Sequence, residues 1–156
     1  MTLAESIMWA YAYPLFLFRE CTMTKKLINP PSVFNSLQHG FSQAIETTGT
    51  RQLFLSGQVG VNAQQETVAG GMYEQTVQSL INIEHVLREA GGDLSNVTML
   101  RIYIKNGFNS HEEQLDIANA LKEKFGDFPP ASSWVIVSGL SLPEWLIEIE
   151  AHAVLD

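Results

Sequence analysis

Apolar and polar residues follow one another along this chain with two periods, and the change from one to the other marks the elements. Over residues 73–90, Thr76, Leu80, Ile83, Leu87 and Ala90 recur at spacings of four and three, which predicts an amphipathic helix. Gly91-Gly92 ends it, because glycine accepts the left-handed conformation of a helix C-terminus. A second helix starts at Ser110, where Glu113 three residues on completes a capping box, and Gly126 closes it. Leu115, Ala118, Leu121 and Phe125 give that helix its expected buried side. Elsewhere the runs are short and strand-like. Residues 52–56 predict a buried strand ending at Gly57, and residues 97–104 carry Leu100, Ile102 and Ile104 on one face. Residues 133–138 and 145–155 predict two more strands. Residues 41–47 alternate loosely before a Thr48-Gly49 turn, and the polar stretch 61–71 reads as a loop or hairpin.

Early strands, a helix, a strand, a second helix and two closing strands, joined by long helical crossovers, imply an α+β fold. Its sheet is mixed, with both helices packed on one face. The last strand separates into two faces. Trp145, Ile147, Ile149, Ala151 and Ala153 suit the helical core, whereas Leu146, Glu148, Glu150, His152 and Val154 make a mixed apolar and acidic surface. A monomer would leave the second face uniformly polar, so this mixture points to an oligomer interface containing a polar site.

Composition narrows the class. With 156 residues, 46% of them hydrophobic, the chain fits one core. The formal charge of −8 opposes nucleic-acid binding, which draws its affinity from lysine and arginine neutralising phosphates. The single cysteine, Cys21, excludes an intramolecular disulfide and a cysteine-based metal cluster, and a cytoplasmic setting is the default. Residues 1–22 stand apart. Their apolar run, residues 7–18, is shorter than the roughly 20 residues a membrane span needs and contains Pro14. A secretory signal would need a basic start, and only Glu5 is charged there. Residues 1–22 are therefore expected to be a non-core extension, from an upstream start or a degenerate targeting or partner-binding segment, with the domain at 23–156.

Candidate chemistry is sparse. Glu148, Glu150 and His152 invite a metal reading, but on one strand Glu148 and His152 lie ~13.6 Å apart at ~3.4 Å per residue, too far to share an ion. An interface hydrogen-bond or charge network is the favoured reading of that face. Two glutamates on one strand cannot flank a sugar either. No G-x-S-x-G elbow is present, and Gly70-Gly71 lacks the spacing of a phosphate loop.

An ordered set of landmarks adds more than any one motif. These are Gly40-Phe41-Ser42-Gln43-Ala44, Leu55-Ser56-Gly57-Gln58, Glu74-Gln75-Thr76 leading into Asn82, Ala90-Gly91-Gly92-Asp93-Leu94, Pro130-Ala131 and Ile147-Glu148-Ile149-Glu150-Ala151. From Asn29 to the C-terminus the chain resembles the RidA/YjgF family, the reactive intermediate deaminases or endoribonuclease L-PSP-like proteins. That resemblance implies a chorismate-mutase-like fold and a homotrimer whose inter-subunit clefts bind small carboxylates. It also implies hydrolysis of enamines and imines to 2-keto acids and ammonia, with no cofactor. Carried over by position, the cleft is lined by Phe41, Ser56, Gly57, the loop 106–109 ending at Asn109, Ser132 and Trp134, with Glu148 activating water. Ser132 stands where active members carry the arginine that clamps the substrate carboxylate, and Phe41 where many carry a tyrosine. A charge-assisted pair contributes about 1.5–3 kcal/mol, and a serine cannot reproduce the guanidinium fork.

Two functions follow from the resemblance. One is a trimeric hydrolytic deaminase acting on an enamine or imine that needs no carboxylate clamp, with Glu148 as base. The other is a non-enzymatic relative, the same trimer binding a small metabolite or acting through a protein partner. Ribonuclease activity, attached to some relatives, is opposed here by the acidic charge and the lack of a basic stripe.

Overall fold

The computed structural model describes residues 23–156; the segment 1–22, with Cys21 and its expected non-core role, lies outside the described residues. Strands β1 (Thr24–Ile28) and β2 (Ala44–Thr48) pair as an antiparallel hairpin, with a short 3-10 turn, Ser36–His39, between them. There follow β3 (Arg51–Val59), α1 (Met72–Glu89), β4 (Val97–Lys105), α2 (His111–Phe125), β5 (Ala131–Val137) and β6 (Ile147–Leu155). These last four strands form a mixed sheet in the order β3-β6-β4-β5. Strands β4 and β5 run parallel across the α2 crossover, while β6 inserts antiparallel between β3 and β4. The chain thus has the expected α+β fold, two helices on a mixed sheet. The β1–β2 hairpin is a separate two-stranded piece, joined to β5 by a bridge from Ser42 to Ala131.

Alternation in β6 builds the core as the sequence predicts. Ile147, Ile149, Ala151, Ala153 and Leu155 are all buried, against Leu100, Ile102 and Ile104 of β4. Trp145, expected to open that face, precedes the strand in a turn closed by its amide donating to the Leu142 carbonyl (3.2 Å). From α1, Met72, Leu80, Ile83 and Leu87 enter the same core. Two buried hydroxyls of α1 bond within the helix: that of Thr76 donates to the Met72 carbonyl (2.6 Å) and that of Ser79 to the Gln75 carbonyl (2.8 Å).

Two expectations need correction. In α2 the buried residues are Ile117, Ala118, Ala120, Leu121 and Phe125, while Leu115 is 43% exposed. At about 100° per residue, Leu115 falls at the margin of the stripe centred on Ile117, Ala118 and Leu121. Strand β3 does not stop at Gly57 but runs on to Val59, its register against β6 slipping between Leu55 and Gln58. The glycine marks a bulge within the strand.

Both helices cover one face of the sheet. The opposite face carries Phe54, 70% exposed, with Arg101, Tyr103, Val135 and the half-buried Glu148, Glu150 and His152.

Candidate functional site

Glu148 lies near the start of β6, opposite Val59 of β3 and Tyr103 of β4. Its carboxylate fits there because of the bulge. A Cβ built on Gly57 would stand 2.1 Å from Glu148 Oε1 and 2.7 Å from Cδ, so any side chain at 57 displaces the acid. Ser56, exposed in the same bulge, accepts a hydrogen bond at its carbonyl from Gln58 Nε2 (3.1 Å). Gln75 on α1 fixes the approach to β6. Its Nε2 donates to the Glu144 carbonyl and its Oε1 accepts from the Leu146 amide, both at 2.9 Å.

Phe41, Ser132 and Trp134 gather elsewhere. The Ser42 amide and hydroxyl donate to the Pro130 and Pro129 carbonyls (2.8 and 2.7 Å), which seats Phe41 beside the start of β5. Gly40 makes that approach possible: its φ of 79° is left-handed, and a Cβ would sit 3.0 Å from the Ala118 carbonyl oxygen and from Leu121 Cβ. The Phe41 and Trp134 rings are then 6.4 Å apart. Phe34 and His39 complete an aromatic group around Phe41, with centroids 6.1 and 6.5 Å from it. Together with His111, Gln114 and Leu115 from the first turns of α2, these rings line a cavity of about 230 Å³. Asn109 sits just before that helix; its Oδ1 accepts from the Gly107 amide (3.1 Å) and its carbonyl from Gln114 Nε2 (2.9 Å).

Trp134 Nε1 donates to Ser132 Oγ at 3.0 Å, which fixes the indole beside the clamp position and leaves the Ser132 O–H as a neutral donor there. No arginine of the described residues replaces the clamp. Arg51 donates to the Ala90 carbonyl (2.8 Å), Arg88 pairs with Glu84 one helical turn away, and Arg101 pairs with Glu150 at 3.1 Å. His152 meets Phe54 edge-on at 4.9 Å, and with the Arg101–Glu150 pair it makes the outer face of β6 a charge and aromatic network.

Within one protomer the sequence-predicted residues fall into two groups. Trp134 pairs with Ile102, and Ile102 with the buried Ile149, so Ser132 and Trp134 share the helix-covered face. Glu148 pairs with Tyr103, and Tyr103 with Val135, on the opposite face. Strands β3 and β5 are also opposite edges of the sheet. Phe41, Ser132 and Trp134 therefore form one group, with Asn109 bonded to the cavity residue Gln114, and Ser56, Gly57 and Glu148 form another.

Sequence reasoning missed Phe34, His39, His111 and Gln114 as cavity walls and assigned Leu115 to the core. The spacing Phe34…His39…Phe41 was a usable signal, since three rings cluster in eight residues. The α2 contribution had none, because only packing brings that helix start beside β5.

Comparison with known proteins agrees with this architecture. The family model for endoribonuclease L-PSP matches residues 34–155. A RutC family protein of Sulfurisphaera tokodaii is 38% identical over 112 residues, covering 70% of this chain and 82% of that protein. A 2-iminobutanoate/2-iminopropanoate deaminase of Dermatophagoides farinae is 32% identical over 117 residues, covering 74% and 86%. The crystal structure of YyfB from Yersinia pestis, a Rid family protein of unknown function, superposes with a TM-score of 0.76 at 40% identity, covering 84% of this chain and 98% of that one. The chain belongs to the endoribonuclease L-PSP family, the RidA/YjgF proteins.

Proposed function

We propose that domain 23–156 assembles head to tail into a closed homotrimer in which the Phe41–Trp134 cavity of one protomer faces Glu148 of the next. We further propose that the joint cleft binds a small metabolite and hydrolyses an enamine or imine. The observation that carries this is the separation of the half-sites onto opposite faces and edges of one sheet. Opposite patches that meet between copies make a heterologous contact, and such contacts close into rings when the rotation permits. The mixed outer face around Phe54 and Glu148 supports burial there.

In this reading Glu148 takes a proton from water, whose oxygen adds to the imine carbon. The carbon–nitrogen bond then breaks, giving a carbonyl compound and ammonia. Gly57 leaves the carboxylate its space, and Gln75 holds the chain that leads to it. A substrate carboxylate would find Ser132, already bonded to Trp134, and no arginine from the described residues. Hydrolysis of 2-aminoacrylate or 2-iminobutanoate is therefore expected to run tenfold to a hundredfold below that of an arginine-bearing relative. The test is light scattering together with ammonia release from freshly generated enamine. A trimer with slow release that Glu148→Gln abolishes supports the proposal. A monomer, or release as fast as the arginine-bearing relative, overturns it. Ser132 in place of an arginine also favours the second reading, a non-enzymatic metabolite-binding trimer, and ligand binding without release of ammonia would select it.

A further inference from the structure

Resting on that assembly, we infer that the cleft selects a cation bearing an aromatic ring and no carboxylate, an arylalkyl iminium as substrate and the matching primary ammonium as its stable analogue. The cavity walls are Phe34, Phe41 and Trp134 with two imidazoles, Gln114 and Leu115, and among the described residues they include no lysine, arginine, aspartate or glutamate. Ring centroids 6.1–6.5 Å apart around Phe41 make a curved aromatic wall. Its volume of about 230 Å³ exceeds the roughly 150 Å³ of an apolar cavity that holds a benzene ring.

Charge decides the rest. The clamp position offers Ser132, a neutral hydroxyl whose oxygen accepts from the indole N–H. Glu148, the ionisable group of the opposing half-site, is an anion when deprotonated, and the chain as a whole carries −8. An anionic ligand meets repulsion from Glu148 on one side and, among the described residues, no lysine or arginine on the other. A cation gains the carboxylate and the electron-rich ring faces. The reaction is balanced with water alone: R–CH=NH2+ and H2O give R–CHO and NH4+, the carbon–nitrogen bond breaking as the carbon–oxygen bond forms. A carboxylate-free iminium of this kind arises from two-electron oxidation of a primary arylalkylamine by a separate enzyme.

The test uses the full chain at about pH 8, where an ordinary imidazole is neutral. Calorimetric titrations compare 2-phenylethylammonium, ethylammonium, phenylacetate and neutral 2-phenylethanol, with light scattering on the same samples. The expected result is at least tenfold tighter binding of 2-phenylethylammonium than of either phenylacetate or ethylammonium. Glu148→Gln should weaken 2-phenylethylammonium about tenfold and leave 2-phenylethanol unchanged. Trp134→Leu should weaken both aromatic ligands. In an intact trimer, phenylacetate binding as tightly as the ammonium, or indifference to Glu148→Gln, overturns the inference and leaves the trimer standing. A monomer removes the assembly itself, and the inference with it.

Discussion

Single residues in this protein are held by close approach more than by long-range charge. Gly57 is the sharpest case, since a methyl there would overlap Glu148 Oε1. Gly57→Ala is expected to cost about 1–3 kcal/mol, the usual penalty of overpacking, read as a lowered melting temperature. In a Glu148→Ala background the same change should cost markedly less, with a coupling of at least about 0.5 kcal/mol; strict additivity would disprove the contact. Lys25 is held differently. Its Nζ donates to the Ser95 and Phe128 carbonyls (3.4 and 3.2 Å), and burial pushes its pKa down to about 8 from 10.5. The folded value lies below the unfolded one, so the penalty for burying the charge is fully present below pH 8. Unfolding takes up a proton between about pH 8 and 10.5, and stability from this group rises with pH across that window. Lys25→Met should remove that rise, as measured by denaturation midpoints from pH 7 to 10.5.

Between elements, backbone groups that the sheet leaves unpaired are satisfied by α1. Gln75 serves two of them, the Glu144 carbonyl and the Leu146 amide, in the segment that feeds β6. Gln75→Leu keeps the volume but orphans both part-buried groups, at no more than about 1–3 kcal/mol each. The expected signs are a lower melting temperature and faster hydrogen exchange at the Leu146 amide; unchanged exchange would mean water replaces the glutamine. Asn82 ties the end of β3 in the same way, its Nδ2 donating to the Val59 and Val61 carbonyls (3.1 and 2.9 Å). These contacts explain why landmarks that look merely polar in the sequence sit on an otherwise apolar helix face.

For the whole molecule the governing fact is a sheet that the described residues cover on one side only. Its bare face mixes Phe54 with Tyr103, Val135, Glu148 and the Arg101–Glu150 pair, and the proposed ring would bury it. Among the described residues no helix is long and apolar enough to cross a membrane. Phe54→Asp should therefore shift light-scattering mass from three copies to one while the far-ultraviolet circular dichroism is kept. Retention of the trimer would move the interface elsewhere.

Periodicity alone determined the two helices, the core face of β6 and the location of Glu148 on the other face, because burial of alternate or helically spaced side chains is a local rule. The ordered landmarks also reached the family. Tertiary structure decided what no local rule carries. It carried β3 through Gly57, because a bulge shows only in register with β6. It also put Leu115 at a cavity rather than in the core, and joined Ser132 to Trp134. Above all it divided the candidate site. Whether Glu148 and Trp134 share a face depends on strand order and on parallel or antiparallel pairing, which are properties of the sheet and not of any strand within it.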